Sequence, residues 1–133
     1  MKLKTVFTLN YIYAFLFGAG FMLFPAFCSS LVGFDVTGDG FLIARCLGIF
    51  VFSTGVLTVC ARDAEASTAR RAILLSLFVL YVLLVLFKAL LNTLWEFPLG
   101  LMFLLLYVFH LILVLSYGYY LFGKPRAAEP HAA

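Results

Sequence analysis

Two of the chain's nine basic side chains, Arg45 and Lys88, fall inside runs of apolar residues. A charge at the centre of hydrocarbon costs roughly 3 kcal/mol on insertion scales, so each must face protein, water or an anionic group. Arginine offers a planar fork suited to carboxylate, phosphate or carbonyl oxygens; lysine offers a point charge on a flexible stem that can also snorkel to the headgroups. Arg45, Lys88, Glu96, Asp35, Asp39 and Asn92 therefore form one candidate set. They pair with one another as a buried ion pair, or they leave positive charge for an anionic headgroup, a quinone carbonyl or a small anion. His110 forms the second candidate site, with Tyr107 and Tyr117 on the same stripe at close to heptad spacing. A mid-span histidine is either a neutral, hydrogen-bonded core residue or a group that handles a proton or contacts a cofactor.

No other constellation suggests catalysis. The sequence has no serine in a nucleophile-elbow context, no glycine-rich phosphate loop and no histidine pair for metal or haem. Asp35-x-Thr37-x-Asp39-Gly40 resembles half of a calcium loop, but its twelfth position is Cys46 rather than glutamate. Cys28, Cys46 and Cys60 form no C-x-x-C pair and read as small buried apolar residues, with a Cys28–Cys46 disulfide left open. Catalytic residues, metal ligands and cofactors are therefore not assigned, and a non-enzyme is expected.

The elements that must position these residues follow from composition. With 65% hydrophobic and 11% charged residues and a mean hydropathy of +1.14, the chain is expected to be an integral membrane protein. The net charge of +3 is scattered at the ends of apolar runs, which excludes a nucleic-acid surface and supplies topology signals instead. Four spans are expected, at about 6–24, 41–60, 72–91 and 99–121, each long enough for the roughly 30 Å hydrocarbon layer. The fold class is thus an all-α four-transmembrane-helix bundle forming one domain over residues 1–122, with a flexible tail at 123–133. The basic start is read as the flank of a retained first span rather than a cleaved signal. Apart from Arg45 and Lys88, the basic residues lie at the amino terminus, in the 61–71 loop and in the tail, which places both termini in the cytoplasm. In that orientation Arg45 and Lys88 both come to roughly 6 Å below the outer boundary, beneath Asp35, Asp39 and Glu96.

Local patterns refine each span. Asn10 is a polar side chain expected to hydrogen-bond another helix, and Ala14 with Gly18 invites close helix approach. Pro25 ends the first span, a loop follows to Gly40, and Asp39 is placed to cap the second span. Arg45, Gly48, Phe52 and Gly55 share a stripe, which predicts that Arg45 points into the bundle. Tyr81, Leu84, Lys88 and Asn92 give the third span one polar-edged face. The short turn containing Trp95 and Pro98 makes the last two spans antiparallel neighbours.

Phe21-Met-Leu-Phe-Pro25, Gly33, Gly40, Ala44-Arg45-x-x-Gly48, Gly55, Ala61-Arg62-Asp63 and Ala69-Arg70-Arg71 together resemble small bacterial four-helix proteins of the DoxX-like type. The resemblance implies a four-helix bundle in a bacterial inner membrane, a family largely without assigned activity, and one branch associated with thiosulfate:quinone oxidoreduction. Three functions are therefore open. The first is a non-enzymatic accessory subunit held by a membrane protein partner or a second copy. The second is a quinone- or lipid-binding module built around Arg45, and the third is a small oligomeric transporter.

Overall fold

The computed structural model describes residues 2–95 and 100–123, without the side chains of Leu91, Asn92 and Trp95. Glu96, Pro98 and the tail at 124–133 lie outside the described residues. The chain forms α1 (Leu3–Leu23), α2 (Pro25–Leu31), α3 (Gly40–Asp63), α4 (Thr68–Trp95) and α5 (Leu101–Gly118), and α5 widens into a π-helical turn at Tyr119–Gly123. Among the described residues there is no strand. Among the described residues, four helices are long and apolar enough to cross a membrane, so this is a small multi-pass membrane protein. Leu16, Phe50, Leu101 and Leu115 are among many large apolar side chains turned outward, a surface that lipid covers and water would not.

α1 and α3 are antiparallel and nearly touch along their backbones. A Cβ at Gly18 would stand 2.6 Å from the Phe52 nitrogen, and one at Gly48 would stand 2.8 Å from the Gly18 carbonyl oxygen. Ala14 is buried beside Gly55, so the small-residue pair read from the sequence is the contact face. α4 and α5 form the second antiparallel pair. Val6, Phe7, Leu74, Leu77, Leu113 and Leu121 pack the end of the bundle where α1 starts. A smaller cluster of Phe21, Cys28 and Ala44 closes the opposite end.

Several expectations are corrected. The buried stripe of α3 is Ala44, Gly48, Gly55, Thr58 and Ala61, and Arg45 is exposed rather than turned into the bundle. Successive residues rotate by about 100°, so the stripe that holds the glycines runs through Ala44 and leaves its neighbour on the flank. The segment after Pro25 is helical, with proline at the first position of α2 where its missing N–H is harmless. Asp39 stands at the start of α3, but its side chain makes no capping hydrogen bond. The three cysteines are free thiols, and Cys46 and Cys60 on the outer flank of α3 are exposed rather than buried. Cys28 is buried, and burial pushes its thiol pKa up.

Candidate functional site

The interior of the bundle holds a seam of polar side chains drawn from all four spanning helices. At its centre is Asn10 of α1, which is fully buried. Tyr81 of α4 donates its hydroxyl to Asn10 Oδ1. Asn10 Nδ2 donates to Tyr117 Oη of α5 at 2.7 Å and to Thr58 Oγ1 of α3 at 3.3 Å. Thr58 Oγ1 in turn donates to the Thr54 carbonyl at 2.6 Å, leaving its lone pairs for Asn10. The carboxamide thus uses its oxygen and both N–H groups on three other helices. Inside hydrocarbon such bonds have no water to replace them, which makes Asn10 the fixed point of the bundle's rotation and register.

About one turn further along α1, Tyr13 begins the second half of the seam. Its hydroxyl lies 3.1 Å from His110 Nε2, and His110 Nδ1 lies 3.0 Å from Lys88 Nζ. Lys88 also stands over the Phe103 ring, 5.4 Å from its centroid. Aromatic rings join the two halves. Tyr81 stacks on His110 with centroids 5.4 Å apart and on Tyr117 at 6.1 Å, while Tyr13 meets His110 edge-on.

Donor and acceptor roles follow from this geometry. An ammonium has three donors and no acceptor, so with Lys88 charged, His110 Nδ1 accepts and Nε2 carries the hydrogen that goes to Tyr13. Two unit charges about 3 Å apart would repel by roughly 5 kcal/mol even at an effective dielectric of 20, so Lys88 and His110 do not both carry a charge. When an acceptor meets the Tyr13 hydroxyl, the row Lys88–His110–Tyr13 can therefore pass one proton: Tyr13 gives up its own hydrogen, takes that of His110 Nε2, and Nδ1 takes one from Lys88. It can equally hold an oxygen acceptor at the free N–H groups of Lys88.

The two candidate groups of the sequence reading partly merge. Lys88, His110 and Tyr117 come together in one seam, whereas Tyr107 is half-buried outside it. Arg45, Asp35 and Asp39 are exposed and make no ion pair among the described residues. The Asn92 side chain and Glu96 lie outside the described residues. Tyr13 and Thr58 were not legible as site residues. The available signal was the spacing of Tyr13 from Asn10, three positions on and so on the same helix face.

Fold and seam together define a small multi-pass membrane protein with a hydrogen-bonded polar interior. Comparison with family models, with curated proteins and with solved structures finds no match to the chain.

Proposed function

We propose that the chain is a non-enzymatic subunit of a membrane assembly that holds a quinone-type ligand at Lys88, His110 and Tyr13. The observation that supports this is the contact between Lys88 Nζ and an imidazole nitrogen inside a spanning bundle, without a carboxylate partner among the described residues. Such a cation needs a lone-pair acceptor, and a lipophilic carbonyl can reach it from the bilayer. The ligand's electrons would come from a partner protein, because the chain offers a proton route and its sequence shows no redox motif of its own. A bacterial inner-membrane setting with both termini inside belongs to the same proposal.

The test uses the purified full chain in detergent and decylubiquinone as probe. Trp95, the single tryptophan, lies about two turns beyond Lys88 on α4 and reports binding by fluorescence quenching. Saturable quenching that Lys88→Met weakens at least tenfold, with thermal unfolding at or above that of the parent, supports the reading. Quenching that is identical in both proteins overturns it.

A second reading is favoured by Asn10, whose hydrogen-bonding groups are all engaged by other helices. There the seam is a helix clamp in a purely structural subunit, and decylubiquinone does not bind.

A further inference from the structure

The end of the bundle where α1 starts, α3 ends and α4 starts carries a second polar arrangement, separate from the seam. Lys4, Arg62 and Arg70 gather there with one engaged carboxylate, Asp63, which lies 3.1 Å from Lys4 Nζ and 4.0 Å from an Arg62 nitrogen. Glu65 makes no ion pair among the described residues. Neither arginine extends freely into water. The Arg62 guanidinium lies over the Tyr11 ring and that of Arg70 over the Phe7 ring, at 6.0 and 5.7 Å from the centroids. Arg70 also reaches back to donate to the Arg62 carbonyl at 3.3 Å. In both side chains the Nε nitrogen is buried and has no hydrogen-bond partner among the described residues. The Arg62 side chain stays 38% exposed, so its outer guanidinium nitrogens can still be met by an anion that offsets the excess positive charge of this end.

Beside them, a groove of about 330 Å³ opens between α3 and α4, lined by Thr54, Leu57, Ile73, Ser76 and Leu80 among others. Its two hydroxyls are turned to their own helices, Thr54 to the Val51 carbonyl and Ser76 to the Ala72 carbonyl. The groove wall is therefore apolar. It starts within one helical turn of Arg70 and runs along α4 for roughly 12 Å toward the bilayer centre.

A positive end and an apolar channel leading from it into hydrocarbon match an amphiphile with a phosphate head. We propose that Arg62 and Arg70, with the groove between α3 and α4, hold one phospholipid of anionic headgroup. Its phosphate meets the two guanidinium groups and one acyl chain occupies the groove. Inorganic phosphate shares the head chemistry but has nothing to place in the groove.

Native mass spectrometry of the delipidated full chain, with lipid added back, tests this. Dioleoyl phosphatidylglycerol should be retained as one copy, at least tenfold more tightly than dioleoyl phosphatidylcholine, and 10-fold molar excess of inorganic phosphate should not displace it. Arg62→Gln/Arg70→Gln should lose the preference. Ser76→Trp, which fills the groove and leaves both arginines in place, should weaken retention at least tenfold. If the arginine variant does not fold, Ser76→Trp decides alone. Unchanged retention in either folded variant, equal retention of the two lipids, or displacement by inorganic phosphate overturns the proposal.

Discussion

Lys88 and His110 face each other across α4 and α5 with Nζ and Nδ1 3.0 Å apart. About two turns away along the same pair of helices, Tyr81 stacks on Tyr117. These two pairings set one antiparallel register, and the Tyr81–His110 stack ties them together. A cation placed this way is a poor source of stability, because burying it costs more than one neutral partner returns.

Replacing Lys88 by methionine should therefore leave stability unchanged or raise it by about 1–2 kcal/mol, since the apolar stem is kept and the charge removed. Thermal unfolding in detergent measures this. A large loss would mean that the Lys88–His110 bond holds the helices together.

Asn10→Ala should act in the opposite direction. It takes the acceptor from the Tyr81 hydroxyl and the donor from Tyr117 and Thr58, and a loss of about 1–3 kcal/mol is expected. Unfolding of the variant at the temperature of the parent would show that the carboxamide is not the tie between the helix pairs.

Tyr117→Phe and Tyr81→Phe each remove one hydroxyl from Asn10, and each should cost about 0.5–1.5 kcal/mol. Combined with Asn10→Ala, neither should add its full cost, because the shared partner has already gone. Strict additivity in this double-mutant cycle would contradict direct coupling.

Gly18→Ala should cost about 1–3 kcal/mol, since the new methyl would meet the Phe52 backbone, which cannot rotate away. Gly20→Ala meets only the Cys28 sulfur and should cost less. Gly100→Ala, with nothing within 4 Å, should change stability by less than about 1 kcal/mol. Equal behaviour of Gly18→Ala and Gly100→Ala would rule out the close α1–α3 contact.

Arg45→Gln should leave both stability and decylubiquinone quenching at the level of the parent, because the side chain is exposed and remote from the seam. Loss of ligand in that variant would return the binding centre to the start of α3.

The four spanning helices were legible because a long apolar run needs no partner to be recognised. Their observed bounds differ from the expected spans mainly by extra turns in water, as where α4 starts at Thr68 rather than about residue 72. Asn10, Lys88 and His110 each stood out as polar residues in apolar surroundings. Their partnership did not, because it depends on how α4 and α5 are rotated and offset, which single-helix periodicity leaves free. Arg45 was misplaced for a related reason: the glycine stripe fixes the buried face only to within about one residue, and Ala44 is too bland to compete for attention with its charged neighbour. The arginines at 62 and 70 read as ordinary solvated charge, since no sequence pattern reveals that they stand over the Tyr11 and Phe7 rings respectively.

The short helix α2 has a mechanical consequence. Phe24, Phe27, Leu31 and Phe34 are exposed around it at one end of the bundle, while Lys4, Arg62, Asp63 and Arg70 crowd the other. Displacement along the membrane normal in one direction would drag charges into oil, and in the other would lift aromatic rings into water. The protein therefore floats at a single draught, which holds the polar seam at one depth in the bilayer.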